Sequence, residues 1–191
     1  MTPAQLATIK ADILANPELN AFPAGLDGSY GIAALYNLPA VPAFTVWRTD
    51  TPVSAINDAI DDTKFTPTDL PTVTQLPAEA MLWLNRSQMV LIKQANLQRL
   101  LQGRDTVDAS KANVRASLRD ALIALPTGVN GANTSAAGPS AVNALTACTR
   151  AATRLEKLLV TSSPTTGTVT AGVMGYEGQV SYPDIEAART S

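Results

Sequence analysis

The helical period of this chain stops at Val160, and that break constrains the fold more than any other feature. Val142, Leu145, Cys148, Ala152, Leu155 and Leu159 recur every three or four residues, the spacing of one helix face, and predict a helix from Pro139 and Ser140 to about Val160. The stretch that follows, VTSSPTTGTVTAGVMGYEGQVSYPD (residues 160–184), is rich in Thr, Ser and Gly and has no such period. Near its end it carries two short β-like patches, Val173 to Tyr176 and Gln179 to Tyr182. Two short strands alone are marginal in water, so they need a sheet edge or a groove. Residues 161–182, extended at about 3.3 Å each, reach roughly 70 Å, against a radius of gyration of about 16 Å for a compact domain of this length. The segment is long enough to add as a strand to another chain. A hairpin folded back on its own helices would satisfy the same residues, and both remain open from the sequence. The expected fold is mainly α: a helical bundle over residues 1–160 with an extended C-terminal β arm, strand or hairpin, over residues 161–191.

Capping and proline signals place the earlier helices. Thr2 with Pro3 opens one carrying Leu6, Ile9, Ile13 and Leu14 on one face, ended at Asn16-Pro17. In GLDGSYGIAALYN, Asp27 or Ser29 is the expected cap of a short helix bearing Ile32, Leu35 and Tyr36. Pro39 and Pro42 force an extended stretch through Trp47, and Thr51-Pro52 starts a helix to about Ile60. Residues 61–76 read as turns. A longer helix is expected from Pro77 to Gln94 or on to Leu101, with Met81, Leu84, Leu91 and Ala95 as its inward spacing. Asp108 or Ser110 caps the next, with Val114, Leu118, Ala121, Leu122 and Leu125 inward, and TGVNGANTSAAGPS is a loop. Trp47 and Trp83 read as packing anchors.

Composition narrows the chemistry. With 46% apolar residues among 191 the chain can bury a core, while 16% charged residues and a net charge of −2 give no general attraction to nucleic acid or an anionic membrane. There is no histidine, which removes the side chain best suited to proton transfer near neutral pH. The one cysteine, Cys148, lies on the apolar stripe and reads as a buried structural thiol. Asp58, Asp61 and Asp62 lack the glycine and distal glutamate of a calcium loop and read as a solvated helix end. The glycines of GLDGSYG lack the strand and the Lys-Ser/Thr of a phosphate loop. Arg115 with Arg119, and Arg150 with Arg154, stand one helical turn apart. With Asp120 and Glu156 interleaved they read as exposed faces with local ion pairs. No catalytic constellation, cofactor site or metal site emerges. The first residues, with Lys10 and Asp12 among apolar ones, lack a signal-peptide pattern, and no run approaches a membrane span, so a cytoplasmic setting is expected.

ATRLEKLL, followed by a Thr/Gly/Ser spacer and YEGQVSYPDI, resembles the end of a family of small tailed-bacteriophage proteins. There an Ala-Thr-Arg-x-Glu-Lys-Leu helix leads to a Phe-Glu-Gly-x-(Leu/Ile)-Ser-Tyr-x-Asp-Val segment. The counterparts here run from Ala152 to Leu158 and from Tyr176 to Ile185. TPAQLATIKADILANPEL and IAALYNLPAVPAFTVWRTDTPVSAI are similar to the family's opening blocks. The likeness departs over residues 61–110, and the loop at residues 130–139 is longer here. The resemblance implies a virion structural protein without enzymatic activity, similar to head-to-tail adaptors. Such a subunit forms a ring, usually dodecameric, under the portal protein, with a downstream tail or nozzle protein below and DNA passing passively through the lumen. It implies localisation in the neck or tail of the virion, and in the host cytoplasm during assembly, with no membrane partner. The arm is then expected to dock on the portal or neighbouring subunits through Tyr176, Val180, Tyr182 and Val173, with Arg150, Arg154 and Lys157 meeting acidic neighbours. A tail terminator, a stopper or another neck protein is the alternative, ahead of an assembly factor or an enzyme.

Overall fold

The structure is a computed structural model that describes residues 1–65, 77–123 and 139–191, with the side chains of residues 63, 64, 77–83, 139 and 140 left aside. About 56% of the described residues are helical and the strands form only small antiparallel pairs, so the fold is mainly α. In chain order the helices are α1 (Pro3–Ala15), α2 (Pro17–Asn20), α3 (Leu26–Tyr36), α4 (Val53–Asp58), α5 (Pro77–Leu101), α6 (Ala112–Leu122), α7 (Pro139–Ala147), α8 (Arg154–Leu158) and α9 (Tyr182–Thr190), with a 3-10 turn at Asp62–Phe65. The strands are β1 (Thr45–Trp47), β2 (Thr51–Pro52), β3 (Thr106–Val107), β4 (Thr149–Ala151), β5 (Val160–Ser162), β6 (Thr165–Thr166), β7 (Val169–Thr170) and β8 (Val173–Met174). They divide between two compact bodies. One holds Met1–Trp47, Arg150–Pro164 and Ala171–Ser191; the other holds Arg48–Thr149 and Thr165–Thr170.

The first body forms around α1, α3, α8 and α9. Thr2 caps α1 in a reciprocal box with Gln5, and Pro3 occupies the first turn, where a missing N–H costs nothing. Ile9 and Ile13 point inward as their spacing predicts, whereas Leu14 is 63% exposed. They join Ile32, Tyr36, Leu155 and Ile185 in one apolar cluster. Helix α3 starts at Leu26 on Gly25, whose φ of 94° is open to glycine, and not on Asp27 or Ser29. Gly28 lies inside α3 because a Cβ there would sit 1.9 Å from the Pro23 carbonyl oxygen. The glycines of this stretch serve close packing.

The helix expected from residue 139 to 160 is broken. Helix α7 ends at Ala147, β4 is extended, and Thr153 caps a new five-residue helix. The amide of Ala152 donates to the Phe44 carbonyl at 2.9 Å and its carbonyl accepts from Ala40 at 2.9 Å. Pairing with the extended stretch after Pro39 therefore overrides helical propensity. The apolar stripe survives the break, since Leu145, Cys148, Ala152, Leu155 and Leu159 are all buried.

In the second body α5 packs on α6, α6 on α7, and α4 on α7, around Ile56, Val90, Leu118, Leu122 and Leu145. β2 pairs with β3, Thr51 opposite Val107. Thr51 is therefore a strand residue, and α4 begins after Pro52. Helix α6 is entered from Lys111 without a side-chain cap, because Asp108 accepts from the Ser110 amide at 3.0 Å in its own turn. β6 and β7 make a hairpin whose turn begins at Gly167, φ 62°. Along α5 the buried face is Arg86, Val90, Leu97 and Leu101, while Leu84, Leu91 and Ala95, read from the sequence as inward, are exposed. Two apolar stripes compete on this helix, and periodicity alone does not say which one its own chain covers. The side chains of Met81 and Trp83, the turn-rich stretch after residue 65, Leu125 and the loop at residues 127–138 lie outside the described residues.

Candidate functional site

Of the residues assigned to docking, Arg150 instead grips a buried carboxylate of its own chain, Glu156, which also ties down Gly178 of the C-terminal segment. Thr153 caps α8 by accepting from the Glu156 amide at 3.2 Å, and the Glu156 side chain reaches back to the Thr153 amide at 3.0 Å. That box turns the Glu156 side chain inward, where it is 1% exposed. Arg150 grips both carboxylate oxygens, Nη1 to Oε2 at 2.8 Å and Nη2 to Oε1 at 2.7 Å, and also reaches Glu177 at 3.3 Å. The fourth donor is the Gly178 amide, 3.1 Å from Oε1. Gly178 sits at a φ of 106°, which favours glycine at this turn. Burial pushes the Glu156 carboxyl up, but the bonds from Arg150, Thr153 and Gly178 outweigh it and hold the group below the usual carboxylate range. The same fork, led by the bond to Glu156, raises Arg150.

Beyond Gly178 the chain stays closed on its own helices. The Asn37 side chain clamps Val180 in both directions, donating to its carbonyl and accepting from its amide at 2.9 Å each. Val180 is 3% exposed, so the expectation that it anchors a partner gives way to a place in its own core. The predicted strand at residues 179–182 is absent: Ser181 enters α9, with its amide and hydroxyl donating to Asp184 at 3.2 and 2.6 Å. Helix α9 packs against α1 and α3, burying Ile185 and Ala188. Ser29 donates to Glu186 at 2.8 Å. Tyr182 stacks on Tyr30 with ring centroids 4.3 Å apart. Tyr176 is half-buried and donates to the Gln179 carbonyl at 2.9 Å. Val173 is half-buried in β8, opposite Ser162 of β5.

Two of the assigned cations lie elsewhere on this body. Arg154 reaches Glu18 at 3.1 Å. Lys157 donates to the Pro42 carbonyl at 3.1 Å and stands 6.0 Å from the Phe44 ring centre. With Asp12, Tyr36 and Val41 they line an open groove of about 530 Å³. Asp12 accepts from the Tyr36 hydroxyl at 2.7 Å, and burial together with that bond raises Tyr36, keeping the phenol protonated.

In the second body Arg115 departs from its expected exposure. It is 3% exposed and donates to the carbonyls of Ala109 and Ser110 at 2.8 and 2.6 Å. Arg119 pairs with Asp120 at 3.3 Å. Burial pushes the Cys148 thiol up to about 11, which leaves it protonated and a poor nucleophile at neutral pH. Between α5 and α6 runs an open groove of about 700 Å³, lined among others by Ile92, Lys93, Arg99, Arg104 and Asp120.

Glu156, Gly178 and Asn37 carry the closure, and the sequence reading passed over all three as actors. The spacing Thr153-x-x-Glu156 is a helix-start signature that points to a new helix within the supposed long one. Nothing local marks Asn37 or Gly178, since their partners are more than a hundred and about twenty residues away respectively.

Among the described residues no group of three or more His, Cys, Asp or Glu is placed to hold a metal ion, and no helix is long and apolar enough to cross a membrane. Compared with known proteins, the chain matches no family model, no curated protein and no solved structure.

Proposed function

We propose that the protein is a structural subunit of a tailed-phage head-to-tail connector, assembling as a ring beneath the portal and acting through contact surfaces. The observation that favours this reading is the meeting of two blocks of the phage resemblance at Glu156. The carboxylate belongs to ATRLEKLL and its fourth donor to YEGQVSYPDI. The residues that carry the resemblance thus share one structural task, holding the chain's end. That coherence supports the family reading.

The way the arm would act changes accordingly. With residues 171–191 engaged on their own helices, the segment contributes to the connector as a closed element. Its outward side, where Tyr182 stacks on Tyr30 beside Leu26, is the surface we assign to the portal. Leu26 and Tyr30 are 58% and 55% exposed, and an exposed apolar and aromatic patch of this kind is typical of contact sites.

Protein analysis of purified virions, joined to low-resolution imaging of the neck, tests the reading. The expected result is this chain in the particle, as a ring next to the portal. Its absence from purified virions would overturn the proposal, and a position at the tail's far end would replace connector with another tail role. Leu26→Ser, at an exposed position outside the apolar cluster, is expected to weaken portal binding while leaving the thermal melting of the subunit nearly unchanged.

A further inference from the structure

We infer that the protein self-associates head to tail through its second body, the outer face of α5 in one copy receiving the acidic end of α4 and the following turn of a second copy. The connector reading enters only in the closure of these contacts into a ring; the contact itself stands on the surface of the body. On α5, Leu84, Leu91 and Ile92 are 43%, 62% and 61% exposed and stand at i, i+7 and i+8, which places them on one side of the helix. A single exposed leucine is ordinary, but three aligned along a helix face form the kind of patch a partner covers.

Charge identifies that partner. Arg99 and Arg104 are exposed at the C-terminal end of this face, and among the described residues neither guanidinium has a hydrogen-bond or ion-pair partner. Lys93, by contrast, is held by the Asp120 carbonyl at 2.6 Å. The same body carries the converse surface. The carboxylates of Asp58 and Asp62 are exposed and without partners among the described residues, and they stand close in sequence to the half-buried Ile60 and Phe65. The two sets lie on different flanks of α5. Lys93, Asn96 and Arg99 border the groove shared with α6, whereas Gln94 and Gln98 border the one shared with Asn57, Asp62 and Phe65. Within one chain Arg99 and Arg104 border one groove and Asp62 another; between copies the two surfaces match, apolar against apolar and cation against anion. Unlike patches on two sides of one body make a heterologous contact, the type that closes into rings or runs on as filaments. The charges set register and encounter rate, so the association is expected to weaken with added salt.

Sedimentation velocity on the full chain tests this. The wild type is expected to form assemblies that shrink as salt is raised. Arg99→Glu with Arg104→Glu, and separately Asp58→Arg with Asp62→Arg, are each expected to sediment as monomers with unchanged melting temperature. An equimolar mixture of the two is expected to assemble again, since each reversed patch then meets its complement. Leu91→Gln, at an exposed position and without any charge change, is expected to weaken assembly about tenfold or more. A wild type that stays monomeric at its highest soluble concentration, reversed variants that assemble like wild type, or a mixture that fails to assemble would each overturn the inference. A neck ring in virions built with the Arg99→Glu, Arg104→Glu protein would overturn this surface and leave the connector reading standing. A wild type that assembles head to tail but is missing from virions would do the reverse.

Discussion

At the scale of single residues, Glu156 decides how the chain ends. Glu156→Ala leaves the amides of Thr153 and Gly178 without their acceptor, while Arg150 keeps Glu177 and partial contact with solvent, so the change is expected to cost about 1–3 kcal/mol, read as a lower midpoint in urea. The acid dependence follows from the sign of the shift. The folded state holds this carboxyl below its ordinary value. Its contribution is therefore complete above the unfolded value of about 4.3 and is lost as pH falls through the lower folded one. Melting temperature is expected to drop on acidification below about pH 4, and the drop is expected to be smaller in Glu156→Gln. Cys148 supplies a separate check. A buried thiol raised to about 11 is expected to resist a thiol reagent at pH 8 until the protein unfolds. Fast labelling of the native chain would contradict its burial.

At the scale of elements, the short helix α8 depends on its N-cap. Thr153→Ala removes one half of the capping box and is expected to cost about 1 kcal/mol. Because the same box aims Glu156 at Gly178, hydrogen exchange in this variant should quicken at Gly178 and Val180 as well as in α8. Helix α9 is held differently, by apolar contact. Ile185 is fully buried against α1 and α3, and Ile185→Ala is expected to cost about 2–5 kcal/mol. Helix α5 shows what a period can and cannot say. Its start at Pro77 was legible, and its end at Leu101 is the longer of the two bounds the sequence left open, but it carries a second stripe, Val90, Leu97 and Leu101, and that is the one its own chain buries.

At the scale of the whole molecule, deletion of residues 181–191 separates an appendage from a core element. For an appendage the remainder would keep its helical circular dichroism and melting temperature. With α9 part of the first body, deletion is expected to expose Ile9, Ile13 and Ile32, lower the melting temperature and abolish exchange protection in α1 and α3. Unchanged protection in α1 would mean that the segment is dispensable. Much of the helical body was readable in advance: the Thr2 cap, the inward pair Ile9 and Ile13, and the buried stripe from Leu145 to Leu159 are all local patterns with a fixed period. The closure was not. Asn37 and Val180 are distant in sequence, and an asparagine carries no period that would announce its partner.

The sequence by itself determined a mainly helical chain, the change of period near Val160 and the absence of histidine, because propensity, capping and side-chain periodicity are properties of a few neighbouring residues. Only the tertiary structure decided that the supposed long last helix breaks at Thr149, that α5 turns Leu84 and Leu91 outward, and that the C-terminal segment lies on its own helices. Each of these depends on which of several locally equivalent surfaces finds a partner far away in the chain, and the free energy that selects among them comes from burial and from hydrogen bonds that no local window contains.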